Sequence, residues 1–134
     1  MSDARPNAPL TGRHVLIVED EMIVAMDLGD VIASMGGTSA TAGRVAKAVA
    51  LAAAQKFDVA ILDLNLAGEV VYPVADELAR RGVPYIIASG YGADGILAAY
   101  RGATLLGKPY ARHEVEAALL KVLALTSAKR SSKL

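Results

Sequence analysis

Two hydrophobic rhythms alternate along the chain. Unbroken apolar runs rich in β-branched residues occur within residues 13–18, 59–62 and 85–88. Such runs predict strands buried on both faces, as in the middle of a parallel sheet. Residues 38–42 and 104–106 predict two shorter strands. Between the strands, apolar positions recur at three- and four-residue spacing. Residues 21–35 place Val24, Leu28, Val31, Ile32 and Met35 on one helical stripe, and Gly36-Gly37 stops that helix. Residues 44–55 predict an Ala-rich helix able to pack closely on a sheet. Residues 70–81 predict a third helix that buries Val71, Val74, Ala75 and Leu78, with Pro73 in the first turn, where a missing N–H does no harm. Residues 112–125 predict the last, with Val115, Ala118, Leu119, Val122 and Leu123 as its stripe. The stretch 93–101 has helical character, but Gly92, Gly95 and Gly102 bracket and interrupt it, so a short, mobile helix is expected.

Five strand–helix alternations with short connections imply one α/β domain with a parallel sheet, right-handed crossovers and helices on both faces. Residues 1–12 carry two prolines and no apolar period, and read as a flexible arm. Residues 13–125 form the domain, and 126–134 read as a polar, basic, solvated tail.

Composition narrows the class. A chain of 134 residues, 54% apolar and 21% charged, is one globular domain rather than a disordered segment. Lys+Arg and Asp+Glu both number 14, so no overall charge draws the chain to nucleic acid or a membrane surface, and Lys129-Arg130 are too few to change that. The absence of cysteine excludes disulfides and thiolate metal sites. No apolar run has the length of a membrane span, and the polar N-terminus is unlike a signal peptide. A cytoplasmic domain without membrane or nucleic-acid partners is therefore expected.

The chemistry gathers at one sheet edge. Asp63 directly follows the apolar run Val59–Leu62, and in open α/β sheets the ligand crevice lies at the carboxyl ends of the strands. Alone, Asp63 reads more readily as a turn or cap residue. The other strands change that reading. The first ends in Glu19-Asp20, the fourth in Ser89 and the fifth in Lys108. Three converging carboxylates repel one another and raise their own pKa values unless a cation sits between them. All-oxygen ligands favour Mg²⁺ or Mn²⁺ over zinc. With a hydroxyl and a lysine added, the set suits a phosphoryl group on Asp63, its charge met by the metal and Lys108 and its oxygen by the Ser89 hydroxyl.

In these motifs the chain resembles the two-component response-regulator receiver domains over residues 13–125. The resemblance implies a flavodoxin-like (CheY-like) five-stranded parallel sheet of order 2-1-3-4-5. It implies that Asp63 is the phosphoacceptor, that Asp20 is the main metal carboxylate with Glu19 acting partly through water, and that the backbone carbonyl of Asn65 completes the metal ligands. Ser89 would carry the switch hydroxyl and Lys108 would pair with a phosphoryl oxygen, with a cis Lys108-Pro109 peptide. Ala88-Ser89-Gly90-Tyr91-Gly92, Asp63-Leu64-Asn65-Leu66 and Tyr72-Pro73-Val74-Ala75-Asp76 resemble a subgroup common in alphaproteobacteria that carries a Phe-Ala-Thr-Gly-Tyr type motif. One departure matters: Leu105 stands where most receivers have the aromatic that swings inward on phosphorylation. Tyr91 is then either a substitute switch or a loop aromatic packed on the sheet edge. Tyr91, Leu105, Pro109 and Tyr110 are the expected switch and partner surface.

As a stand-alone receiver the chain would act by binding rather than as a dedicated enzyme. It would take phosphate from a sensor histidine kinase or phosphotransferase, then signal to a downstream protein, relay the phosphate or act as a sink. A homodimer through the face of the fourth helix, fifth strand and fifth helix is a further expectation. The rival classes fit less well. A haloacid-dehalogenase-type phosphatase places its nucleophilic Asp after the first strand with a second Asp two residues on, whereas here the position two after Asp63 is Asn65. A flavodoxin phosphate loop is incompatible with Glu19-Asp20-Glu21, and no Gly-x-x-x-x-Gly-Lys-Ser/Thr motif is present. A pseudo-receiver that binds partners without phosphorylation is the alternative.

Overall fold

A computed structural model describes residues 8–132 of the protein. Strands β1 (His14–Val18), β2 (Thr38–Ala42), β3 (Val59–Asp63), β4 (Tyr85–Ser89) and β5 (Thr104–Gly107) form one parallel sheet in the order β2-β1-β3-β4-β5. This is the flavodoxin-like order expected from the sequence. Helices α1 (Met22–Ser34), α2 (Val45–Ala54), α3 (Tyr72–Arg80) and α4 (Arg112–Ser132) cover its two faces. Among the described residues, no helix is long and apolar enough to cross a membrane.

The unbroken apolar runs follow from this layering. Val15, Ile17, Val59, Ile61 and Ile86 pack with α1 and α4, while their neighbours Leu16, Val18, Ala60, Leu62 and Ile87 pack with α2 and α3. A strand covered on both sides has no position left for a polar side chain until it reaches the sheet edge. The polar ends therefore mark the edge where chemistry can sit.

Four expectations are corrected. The arm expected over residues 1–12 ends sooner: Leu10 is fully buried in the layer with α1, and its N–H donates to the Met35 carbonyl at 2.8 Å. The turn after α1 is shaped for this contact, since a Cβ on Gly36 (φ +93°) would lie 2.9 Å from Ala8 Cβ, and one on Gly37 3.0 Å from Leu10 Cβ. The turn at residues 66–69 is the tip of a two-residue hairpin that pairs Asn65–Leu66 with Glu69–Val70, so α3 starts two residues later than expected. The glycine-rich stretch between β4 and β5 forms two 3₁₀ turns, Gly92–Gly95 and Ala98–Tyr100, and no α-helix. Finally, α4 runs on to Ser132 through most of the expected tail. The rest of the arm (1–7) and of the tail (133–134) lies outside the described residues.

Candidate functional site

The carboxyl ends of β1, β3, β4 and β5 bring Glu19, Asp20, Asp63, Ser89 and Lys108 together. One carboxylate oxygen from each of Glu19, Asp20 and Asp63 lies within 4.8 Å of the others. Lys108 Nζ stands 3.0 Å from Asp63 Oδ1. A cleft of about 250 Å³ opens over this group, lined among others by Asp20, Asp63, Asn65, Ser89, Tyr91 and Lys108. Glu19 lies behind the cleft, buried with Asp63 and Ser89, whereas Asp20 and Asn65 are exposed at its mouth.

Local backbone structure fixes each of these groups. The Glu19 N–H donates to the Ala42 carbonyl at 3.0 Å, so the β1 ladder extends one residue beyond the strand, and the Glu19 carboxylate accepts the Glu21 N–H at 3.0 Å. Asp20 Oδ2 accepts the Ala67 N–H at 3.2 Å. That bond needs the tight hairpin turn, in which Ala67 (φ 51°) and Gly68 (φ 84°) are both left-handed. Ser89 Oγ accepts the Tyr91 N–H at 3.1 Å. The Lys108 N–H donates to the Ser89 carbonyl at 3.0 Å, and the Lys108-Pro109 peptide is cis, as the resemblance implies.

The electrostatics describe a site short of positive charge. Burial pushes the Glu19 pKa up to about 7, and the Asp63 and Asp20 carboxylates add to the effect against the opposing Glu21 N–H and Lys108. Lys108 is affected in the other direction: burial alone would lower its pKa, but the bond and charge of Asp63, with Glu19 and Glu21 beyond, raise it. Oxygen-only donors, two of them buried, with one proton held back near neutrality, fit a hard divalent cation.

The four expected switch residues do not form one surface. Tyr91 is 76% exposed at the cleft rim, beside Gly95, and is not packed on the sheet edge. Leu105 lies half out on the edge strand β5. Pro109 and Tyr110 instead line a separate groove of about 580 Å³ between α1 and α4. Tyr110 packs on the core there, and burial, with Glu19 and Asp63 nearby, pushes its hydroxyl up to about 12. His14, at the other end of β1 from Glu19, bonds Thr38 and Gln55 and stacks on Phe57. The sequence reading did not single out Ala67 as a partner of Asp20; its signal was the Ala-Gly pair at a hairpin tip. It also missed the cluster that Tyr100 forms with Tyr72 and Asp76, which lie one turn apart on α3 and at least 24 residues earlier in the chain.

Comparison with known proteins agrees with this geometry. The family model described as the response regulator receiver domain matches residues 15–120. The solution structure of SdrG from Sphingomonas melonis Fr1 is 38% identical, covering 85% of this chain and 97% of SdrG, with a TM-score of 0.72. The BeF3-activated conformation of SdrG from Pseudomonas melonis Fr1 is also 38% identical, over 80% of this chain and 95% of that one, with a TM-score of 0.68. PhyR from Brucella abortus, a response regulator, is 24% identical with a TM-score of 0.79; 90% of this chain aligns, spanning about half of PhyR (51%), and the likeness there is one of fold. No curated protein matches the chain.

Proposed function

Because the chain belongs to the response-regulator receiver family, we propose that it is a receiver that accepts a phosphoryl group on Asp63. The donor is the phosphohistidine of a sensor histidine kinase or phosphotransferase in the cytoplasm. An Asp63 Oδ forms the new bond to phosphorus while the P–N bond breaks, and the leaving imidazole takes up a proton from solvent. The product is an acyl phosphate on the protein itself, which makes the chain a self-phosphorylating acceptor rather than an enzyme with turnover. Output is then protein–protein interaction or simple drainage of the donor.

The observation that carries this reading is Asp63 held 3.0 Å from Lys108 within a cluster of three carboxylates at a cleft. Asp20, Asp63 and the Asn65 carbonyl would hold Mg²⁺ (or Mn²⁺), with Glu19 acting through water. When bound, that cation supplies positive charge against the phosphoryl oxygens. Lys108 binds one of those oxygens, and the Ser89 hydroxyl donates to another. Beside the site, Met22, Ile23 and Met26 leave a large apolar surface exposed at the start of α1, next to the groove floored by Val24, Leu28 and Val115. This is the surface on which a protein donor would seat its histidine.

Intact-protein mass after incubation with Mg²⁺ and acetyl phosphate tests the reading. One phosphoryl group gained by the wild type and none by Asp63→Asn is expected. No adduct on folded wild-type protein, with acetyl phosphate or with a phosphorylated histidine protein, would leave the pseudo-receiver in its place.

A further inference from the structure

The crossover from β4 to β5 is tied down at both ends by polar contacts. At its start the Tyr91 N–H donates to Ser89 Oγ, and the 3₁₀ turn Gly92–Gly95 folds back so closely that a Cβ on Gly95 would lie 2.9 Å from Tyr91 Cβ and 3.5 Å from Ser89 Oγ. At its far end three contacts hold it to α3. Tyr72 Oη accepts the Leu97 N–H at 2.9 Å, the Tyr100 hydroxyl donates to Asp76 Oδ1 at 2.7 Å, and the Tyr72 and Tyr100 rings stack with centroids 4.2 Å apart and planes 16° from parallel. Between the two anchors Ile96 alone is buried. The hydrogen bonds to α3 are exposed and individually weak, so the closed crossover lies in a shallow well.

We propose that Tyr72, Asp76 and Tyr100 form a latch that holds the crossover closed on α3, and that occupancy of Asp63 by a phosphoryl group works against it. The second half rests on the phosphoacceptor reading above. The Ser89 hydroxyl connects the two ends. When it turns to donate to a phosphoryl oxygen on Asp63, it draws away from the Tyr91 N–H and takes the turn packed on it along. The shift reaches Ile96 and Leu97 within a few residues and pulls the Leu97 N–H from Tyr72. By linkage, whatever occupancy does to the latch, release of the latch does to occupancy by the same factor.

Two measurements on one set of variants test both halves. Tyr100→Phe keeps the ring stack and removes the bond to Asp76; Tyr72→Phe removes the acceptor for Leu97. In each, amide hydrogen exchange at Leu97 and Tyr100 is expected to quicken about fivefold or more, with thermal unfolding lowered by no more than the few degrees that the loss of one hydrogen bond costs. BeF3⁻ with Mg²⁺, titrated as a phosphoryl mimic, is expected to bind each variant up to about fivefold more tightly than wild type. Unchanged exchange in both folded variants would overturn the latch. Faster exchange with unchanged BeF3⁻ affinity would overturn its coupling to the site. A wild type that takes up no BeF3⁻ would overturn the phosphoacceptor reading and the coupling with it, while the exchange data would still decide the latch.

Discussion

Lys108 Nζ and Asp63 Oδ1 stand 3.0 Å apart, so one ammonium group lies against the carboxylate at which the proposed function puts both a cation and a phosphoryl group. For a cation among the three carboxylates, Lys108 is a competing positive charge. For an anion on Asp63 it is the nearest counter-charge. Lys108→Ala is therefore expected to tighten Mg²⁺ binding while weakening BeF3⁻ binding by at least about tenfold, the loss of a hydrogen bond to a charged group. Calorimetric titration of each ion reads both signs. Weakening of both together would mean that Lys108 serves the local fold and not the charge balance.

Glu19 makes the site sensitive to pH. Its folded pKa, about 7, lies above the ordinary carboxylate value of 4.5, so the folded metal-free protein binds a proton that the unfolded chain has released. The stability Glu19 contributes is fully present below pH 4.5 and is lost as pH rises through about 7. Thermal unfolding without metal should show this decline in the wild type relative to Glu19→Gln. Mg²⁺ requires the carboxylate, so below pH 7 its affinity should fall by up to about tenfold per pH unit in the wild type, with a flatter profile in Glu19→Gln. Parallel profiles for the two proteins would remove Glu19 from the metal site.

The sheet and its reactive edge were legible in the sequence for one reason. Strands buried on both faces leave unbroken apolar runs, so the first polar residue after each run, such as Asp63 after Leu62 or Ser89 after Ala88, marks the edge. Contacts between distant residues were not legible. Leu10 sits in a proline-bearing stretch with no period, and only the facing Gly36-Gly37 turn reveals its pocket. The glycines pointed to a shortened helix between β4 and β5, where the chain forms 3₁₀ turns instead, and Tyr72 and Tyr100 meet across a stretch that includes β4, a contact that local periodicity does not report.

Leu10 gives a direct check on the N-terminal correction. A solvated arm residue tolerates truncation at almost no cost. A fully buried leucine truncated to alanine costs about 2–5 kcal/mol. Denaturant unfolding of Leu10→Ala should fall in that range, and a change below about 0.5 kcal/mol would restore the flexible arm.

Under the proposed function, the exposed start of α1 would separate protein donors from small ones. Met22 and Ile23 are each about three-quarters exposed (77% and 76%), so polar replacements there leave the core intact. Met22→Ser with Ile23→Ser should slow phosphotransfer from a phosphorylated histidine protein by about tenfold or more, as loss of an interface anchor does. Labelling by acetyl phosphate should stay at the wild-type rate. Equal slowing with both donors would place the defect in the site and not in docking.

Gly95 closes the crossover over Ser89, and its substitution isolates that packing. Its φ is not left-handed, so backbone strain plays no part; the constraint is space. The added Cβ would meet Tyr91 Cβ at 2.9 Å, an atom fixed by its own backbone and unable to swing aside. Gly95→Ala must therefore displace the turn, breaking the bond from the Tyr91 N–H to Ser89 Oγ. The Tyr91 amide should exchange faster in the variant, while global stability changes by less than about 1 kcal/mol because few core side chains lie in this stretch. A Tyr91 amide as protected in Gly95→Ala as in the wild type would show that the turn has room over Ser89, and the mechanical route from the site to the crossover would fall.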